Sequence, residues 1–201
     1  MSDPTPYNPL AKENLADSTV AKLLLRPALP LPPHSFEGAG VYAIYYTGNF
    51  TAYSKIADAN REGRFGCPIY VGKAIPSGGR KGGNGLDTDP GTALVKRLRE
   101  HAKSIKAAPN LDINDFHVRW LCVDEVFIAL GENMLISRFR PVWNLVIEGF
   151  GNHAVGKGRN EGAKPSWDVL HPGRTWADRL QALTTIPDLE ARIIQHFPDI
   201  P

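Results

Sequence analysis

The chain has 201 residues, of which 42% are hydrophobic and 22% are charged, which is the composition of an ordinary globular protein. No apolar run approaches the roughly 18–20 residues that span a bilayer, and the first ten residues lack the features of a signal peptide, so we expect no membrane partner. The net charge of +2 is unevenly spread, because residues 61–106 carry ten Lys or Arg and only four acidic residues. Such a local excess is typical of a phosphate-binding face and also of many solvated surfaces.

The first 36 residues are predicted to form an extension. A helix is expected over residues 13–25, and the segment that follows it, RPALPLPPHS, predicts a stiff connector of the polyproline type. The leucines at 23–25 indicate that this helix docks on the body of the protein or on a partner.

Two short β-rich segments begin the compact part of the chain. The stretches VYAIYY (41–46) and PIYVG (68–72) predict two strands, joined by a long polar connection that can hold a helical turn. The packing side of these strands is predicted to consist of Val41, Ala43, Ile69 and Val71. The glycine-rich residues 75–91 predict a flexible loop.

A helix and a third strand follow. Residues 92–108 have leucines and a valine at helical spacing, Thr92 is suited to cap this helix, and Pro109 ends it. Residues 116–123 alternate between apolar and polar side chains and therefore predict a strand.

The remaining segments are predicted to be helical. Residues 124–140 predict a helix with a glycine midway, which costs about 1 kcal/mol in propensity, and residues 166–180 and 187–197 predict two amphipathic helices. The order strand, strand, helix, strand, helix predicts a small α/β sheet with helices packed on it. The predicted domains are an N-terminal extension (1–36), a core (37–150) and a C-terminal extension packed on the core (151–201).

Several side chains on these elements are suited to phosphodiester hydrolysis. The reaction requires an activated water, positive charge on the non-bridging oxygens, a group that neutralises the leaving oxygen, and a scaffold that aligns them. The candidates, in chain order, are Tyr42, Tyr70, Arg97, His101, Glu132 and Asn144. Taken singly, each has an ordinary structural interpretation, because strand tyrosines usually pack and charged helix residues usually face solvent.

Their order and spacing resemble a known superfamily. The string GVYAIYY … IYVGKA … RLREH … E(x11)N resembles the GIY-YIG nucleases over residues 38–148, with GVY and YVG in the places of GIY and YIG. A closer similarity, over about residues 35–178, is to the type II restriction endonucleases of this superfamily, particularly the group that cuts the palindrome CCGCGG. The resemblance implies an α+β fold built on a small, mainly antiparallel three-stranded sheet flanked by helices.

The resemblance also implies how the proton is handled. Tyr42 would contact the attacking water, His101 would take or polarise the proton, and Tyr70 would orient the water or the scissile phosphate. A free tyrosine has a pKa near 10, so Tyr42 can act as a base near neutrality only if nearby cations lower its pKa. The sequence leaves open whether Tyr42 or His101 is the general base.

Charge stabilisation falls to the other candidates. Arg97 would stabilise the charge that builds up on the phosphate, and Lys73 is a candidate phosphate contact. Glu132 would be the protein ligand of one Mg²⁺ per active site, for which Mn²⁺ can substitute. Asn144 would hold the backbone geometry around the site.

The partner that the resemblance implies is double-stranded DNA. Weak candidates for DNA contacts are Arg61, Arg64, Arg80, Lys81, Arg159 and Arg174. Gly40 and Gly72 are expected to leave room for the DNA backbone. A palindrome cut on both strands implies a homodimer, and a restriction enzyme implies a cognate DNA methyltransferase and a bacterial cytoplasmic location.

Two other functions fit the same residues. One is a repair or homing-type nuclease of this superfamily, against which the sequence shows no appended zinc module. The other is a catalytically silent DNA-binding module, against which all the catalytic positions carry competent side chains.

Overall fold

A computed structural model describes residues 7–76, 89–152 and 162–196 of the chain. Within these ranges the α-helices are α1 (Lys12–Leu24), α2 (Ser54–Asn60), α3 (Ala93–Ala107), α4 (Glu125–Phe139), α5 (Val142–Leu145), α6 (Ser166–Leu170) and α7 (Ile186–His196). The strands are β1 (Leu29–Pro30), β2 (Gly40–Tyr46), β3 (Pro68–Ala74) and β4 (Phe116–Cys122). Across the described residues, no helix combines the length and apolar character needed to cross a bilayer.

In this part of the chain the strands form one antiparallel sheet in the order β1-β4-β2-β3. The α+β class is thereby confirmed, and the three longer strands are those that the sequence predicts. A fourth, short strand arises because the proline-rich connector pairs with β4, placing Leu29 opposite Val118. The polyproline prediction fails here because polyproline II and β dihedrals are neighbours, and Pro30 needs no ladder donor at a sheet edge.

Strand β2 lies at the centre of the core, and all seven of its residues are buried. Tyr42 and Ile44 belong to a hydrophobic cluster shared with α3. Val41 and Ala43, on the other face, belong to a second cluster shared with α1 and α4. A strand that is covered on both faces needs no polar alternation, which explains why VYAIYY shows so little of it.

Strand β3 contains an irregularity opposite the middle of β2. The register shifts between Ile44 and Tyr45, which leaves Ile69 as an extra residue in β3. Val71 packs on the α1–α4 face as predicted, but Ile69 packs in the same cluster as Tyr42. Ile69 is therefore buried as predicted, but it does not share a face with Val71, because one extra residue shifts the two-residue alternation of faces.

Helix α1 packs on helix α4 through buried residues that include Val20 and Leu23. Gly131, in the middle of α4, permits this packing, since a Cβ there would lie 2.9 Å from Thr19 Cγ2. The cost of this glycine in helix propensity is therefore offset by the close approach of α1. Asp124 caps α4 by accepting a hydrogen bond from the backbone N–H of Val126.

One predicted helix cap and one predicted helix boundary are wrong. Thr92 precedes α3 but makes no capping hydrogen bond through its side chain. The helix predicted over 166–180 stops at Leu170, because Pro172 disfavours helical backbone at the residue before it. Gly173 then adopts a φ of 137°, and a Cβ there would lie 1.9 Å from the carbonyl oxygen of Ala107. Helix α7 lies within one residue of its predicted bounds.

Candidate active site

The candidate site is built around a hydrogen bond between Tyr42 and His101. Tyr42 projects from the middle of β2 and His101 from α3, and the distance from Tyr42 Oη to His101 Nε2 is 2.6 Å. Tyr42 is 0% exposed and His101 is 2% exposed, so bulk water does not compete for this bond.

Gly72 makes room for the Tyr42 ring. It lies directly opposite Tyr42 in the β2–β3 ladder, and a Cβ at Gly72 would lie 2.4 Å from Tyr42 Oη and 2.6 Å from Cζ. Gly40 has a similar role within the fold, since a Cβ there would lie 2.0 Å from the carbonyl oxygen of Leu121. The expectation that these two glycines leave room for DNA is therefore corrected, because the protein itself fills the space.

Tyr70 and Arg97 complete one side of the site. The Tyr42 and Tyr70 ring centroids are 6.3 Å apart, and the Tyr70 ring also meets His101 edge-on with centroids 5.1 Å apart. Arg97 Nη2 donates a 2.7 Å hydrogen bond to the carbonyl oxygen of Gly151, and Arg97 Nη1 lies 3.3 Å from the carboxylate of Glu100. The structure thus brings together Tyr42, Tyr70, Arg97 and His101 from two strands and one helix.

Burial dominates the titration of both tyrosines. It raises the pKa of Tyr42 well above the ordinary value of 10.0, and the neighbouring Tyr70 adds to the rise. Arg97 lowers the pKa of Tyr42 through its charge and a hydrogen bond, but this effect is smaller than that of burial. Burial likewise raises the pKa of Tyr70. The expectation of a lowered pKa for Tyr42 is corrected, since the neutral phenol is the favoured form in this environment.

Glu132 and Lys73 form an ion pair beside the tyrosines. Lys73 Nζ lies 2.7 Å from Glu132 Oε2, and the two side chains are 34% and 17% exposed. In addition to burial, the negative charge of Glu132 contributes to raising the pKa of Tyr42 and of Tyr70. Glu132 therefore acts electrostatically on the same site as the two tyrosines.

The described residues offer a divalent metal ion few protein ligands. Among the described residues, no group of three or more His, Cys, Asp or Glu side chains converges. Mg²⁺ keeps several waters and often binds through one or two carboxylates together with substrate phosphates. A single, partly accessible carboxylate at Glu132, 17% exposed, fits a site of this kind, and Lys73 neutralises the same carboxylate.

Asn144 is bound to the strand that carries Tyr70. The Oδ1 atom of Asn144 accepts a 2.8 Å hydrogen bond from the N–H of Val71, and its Nδ2 donates a 2.9 Å bond to the Val71 carbonyl oxygen. Val71 lies between Tyr70 and Gly72 on the outer edge of the sheet. The side chain of Asn144 therefore acts on the backbone of β3.

The arginines predicted to contact DNA lie in different environments. Arg61 donates hydrogen bonds to the loop at 47–49 and to Asp58, yet its side chain is 40% exposed. Arg64 is 58% exposed. Arg174 is only 6% exposed and binds other parts of the chain, so the prediction that it contacts DNA is corrected. Arg80, Lys81 and Arg159 lie outside the described residues.

The sequence does not predict that Phe150 and Gly151 belong to the site. The Phe150 ring stacks on His101 with centroids 4.5 Å apart and meets the Tyr70 ring edge-on at 4.9 Å. The carbonyl of Gly151 accepts the hydrogen bond from Arg97. The only signal for them is the string GFGN, in which an aromatic residue between two glycines follows Asn144 closely.

The fold and the order of these residues along the chain are those of a GIY-YIG nuclease. A family model of the Eco29kI GIY-YIG domain matches residues 34–197. The chain therefore belongs to the Eco29kI family, a family of type II restriction endonucleases that act on double-stranded DNA. No curated protein matches the sequence.

Proposed function

We propose that the protein is a type II restriction endonuclease that hydrolyses phosphodiester bonds at a short G/C-rich palindrome, with one divalent metal ion in each active site. The observation that carries this proposal is the buried 2.6 Å hydrogen bond between Tyr42 and His101, next to Arg97. A buried tyrosine that is bonded to a histidine provides a path for the proton that the attacking water must lose. Mg²⁺ is the proposed ion, with Mn²⁺ as a substitute.

The proton path follows from the titration of Tyr42. Because burial raises the pKa of Tyr42, forming a free phenolate is costly, and transferring the phenolic proton to His101 Nε2 as Tyr42 takes up the proton of the water avoids that phenolate. In the proposed path the attacking water gives its proton to Tyr42 Oη while Tyr42 gives its own proton to His101. Tyr42 is then the group that contacts the water, and His101 is the final acceptor.

Arg97 is the proposed stabiliser of phosphate charge. Its side chain is 21% exposed, and its guanidinium lies beside the Glu100 carboxylate, the Gly151 carbonyl and the hydroxyl of Tyr42. An arginine in this situation can stabilise the negative charge of the transition state with two aligned donors. Tyr70, on the same face, is proposed to orient the water or the phosphate.

Glu132 is the proposed holder of the metal ion. A divalent ion bound there would stabilise charge on the substrate oxygens. Lys73 is paired with Glu132 and is proposed to contact the phosphate when an ion occupies the carboxylate. Asn144 is proposed to keep Tyr70 in place through its two bonds to Val71.

Cleavage of both strands of a palindrome requires two active sites related by a twofold axis, so the proposed assembly is a homodimer. A restriction enzyme also requires that the host sites be protected, and a cognate DNA methyltransferase is the proposed genetic partner. The partly exposed side chains of Arg61 and Arg64 are proposed as DNA contacts.

The proposal is tested by incubating the purified protein with Mg²⁺ and plasmid DNA. Discrete fragments with ends at a common G/C-rich palindrome are expected. Cleavage confined to branched or damaged DNA, or binding without cleavage, would contradict the proposal.

The metal assignment is tested by Glu132→Gln. This change keeps the size of the side chain but removes its charge, so we expect cleavage to be lost while DNA binding without metal is retained. Glu125→Gln, two turns earlier on α4, is the matched control and should cleave normally. Normal cleavage by Glu132→Gln would show that Glu132 is not the metal ligand.

A further inference from the structure

Arg174 and Asp168 form a buried ion pair that none of the proposed chemistry uses. Asp168 is 2% exposed and Arg174 is 6% exposed. Arg174 Nε lies 2.6 Å from Asp168 Oδ1, and Arg174 Nη2 lies 2.5 Å from Asp168 Oδ2, so the contact is bidentate. The guanidinium also lies between two indole rings, 4.6 Å from the Trp167 centroid and 4.8 Å from that of Trp176.

The remaining donors of Arg174 bind one short turn of the backbone, residues 149–152. Arg174 Nη1 donates to the carbonyl oxygens of Phe150 and Asn152, both at 3.1 Å, and Nη2 donates to that of Gly149 at 2.9 Å. All five N–H groups of the side chain are thus engaged. The one carbonyl of this turn that Arg174 does not bind is that of Gly151.

The carbonyl of Gly151, which Arg174 does not bind, faces the candidate active site. The Gly151 oxygen accepts the 2.7 Å hydrogen bond from Arg97 Nη2. The turn is also packed tightly against the site, since a Cβ at Gly151 would lie 2.6 Å from Tyr70 Oη and 3.1 Å from Arg97 Nη2. A movement of this turn by a few tenths of an ångström would therefore reach Arg97.

A buried ion pair is a poor source of stability, because removing two charges from water costs as much as their attraction returns. For Asp168, burial raises the pKa even though Arg174 opposes the rise. A pair of this kind is suited to fixing geometry, and this one holds three of the four carbonyls of the turn, those of Gly149, Phe150 and Asn152, with a single planar side chain.

We propose that Asp168 and Arg174 are positioning residues for the reaction, which hold the turn at 149–152 so that the Gly151 carbonyl orients the Arg97 guanidinium. This inference rests on the proposed nuclease function for its kinetic consequence, but the orientation of Arg97 can be measured without cleavage. Arg174 thereby acts on the phosphate through Arg97 and does not itself contact DNA.

The direct test uses arginine labelled with ¹⁵N and follows the guanidinium signals of Arg97, assigned with Arg97→Lys. In the wild-type protein, the bond to Gly151 should slow rotation of the Arg97 Nη groups. Arg174→Lys keeps the charge but cannot hold three carbonyls and a carboxylate, so rotation of Arg97 should become fast. Unchanged Arg97 signals in folded Arg174→Lys protein would overturn the proposal.

The kinetic test compares cleavage rate with DNA affinity. Misplacing a positioned group by about 1 Å can cost on the order of 10²-fold in rate, so Arg174→Lys should lower kcat by a factor of this order with little change in KM. The control is Leu189→Ala, which removes a buried side chain of α7 and lowers the unfolding temperature without touching the turn. Equal rate losses in both variants would show that Arg174 serves stability alone.

A second variant keeps the test decisive if Arg174→Lys does not fold. Gly151→Ala leaves the ion pair intact but pushes on Tyr70 and Arg97 through its new Cβ, so it should reproduce the mobile Arg97 signals and the loss of kcat. Wild-type signals and kcat in Gly151→Ala would overturn the proposal. If the wild-type protein cleaves no DNA, the proposed function fails while the signals of Arg97 still decide the inference.

Discussion

The buried histidine His171 should make the stability of the protein sensitive to mild acid. His171 is 0% exposed, and burial lowers its pKa to about 3 from an ordinary value of 6.5. Its Nδ1 lies 3.1 Å from Asn110 Oδ1, whose own amide group donates to the Leu170 carbonyl, so Nδ1 must carry the proton. His171 Nε2 therefore accepts the proton of the Tyr53 hydroxyl, at 2.7 Å.

A second proton on His171 has no acceptor in this network. The Tyr53 oxygen already accepts a hydrogen bond from Trp143 Nε1 at 2.8 Å, so the Tyr53 proton must point towards His171 Nε2. Protonating Nε2 would set two hydrogens against each other in a region shielded from bulk solvent. The neutral imidazole is thus required by the hydrogen-bond pattern as well as by burial.

The size of the effect follows from linkage. The unfolded chain binds a proton at His171 below pH 6.5 and the folded chain does so only near pH 3, so stability falls as the pH is lowered through this window. The slope approaches about 1.4 kcal/mol per pH unit, which gives a loss of about 2 kcal/mol between pH 7.5 and pH 5.0.

The assay is urea unfolding of the wild-type protein, His171→Gln and His34→Gln at pH 7.5 and pH 5.0. His171→Gln is expected to be less stable at both values, but its stability should depend on pH by about 2 kcal/mol less than that of the wild type. His34 is exposed, and His34→Gln should retain the full pH dependence. An identical pH dependence in all three proteins would refute the assignment of a neutral, buried His171.

Two further substitutions test the geometry of the candidate site. Gly72→Ala places a methyl group 2.4 Å from Tyr42 Oη, so it should destabilise the protein by about 1–3 kcal/mol and reduce the cleavage rate by 10²-fold or more, whereas Gly66→Ala, at 3.4 Å from its nearest neighbour, should do neither. Urea unfolding and single-turnover cleavage would measure both effects, and wild-type behaviour of Gly72→Ala would mean that Tyr42 does not occupy this position. Asn144→Leu leaves the N–H and carbonyl of Val71 without their partners, so amide hydrogen exchange at Val71 should accelerate and stability should fall by about 1–3 kcal/mol. Unchanged protection of the Val71 amide would contradict the two-bond contact.

The sequence predicts the elements that carry the candidate site because their signals are local. The β-rich runs around Tyr42 and Tyr70, and the helical spacing around Arg97 and His101, place each side chain on the correct strand or helix. The four-residue interval between Arg97 and His101 also predicts that they share one face of α3, and the structure brings both to the tyrosines.

The parts that the sequence does not predict depend on contacts between distant segments. No residue type or pattern in the sequence marks the bulge at Ile69, because the bulge arises from the way β3 pairs with β2. The contact between Gly151 and Arg97 joins residues 54 positions apart. The low exposure of Arg174 depends on how the C-terminal segment folds. In the sequence alone, Arg174 cannot be distinguished from a surface arginine.

The pKa of Tyr42 likewise depends on contacts that the sequence does not reveal. As a base near neutrality, Tyr42 requires nearby cations to lower its pKa, and Arg97 does act in that direction. The larger effect is burial on all sides, which a strand sequence does not reveal because it depends on Gly72 and on the α3 face.

The two hydrogen bonds of Asn144 have a consequence for the folding of β3. In an antiparallel pair, alternate residues turn their N–H and C=O groups towards the partner strand and away from it. Asn144 engages both outward groups of Val71, so it selects one alignment of β3. A slip by one residue would turn those groups inwards and move Tyr70 to the α1–α4 face. Asn144 therefore fixes the register of β3 against β2, which the bulge in β3 would otherwise leave less well defined.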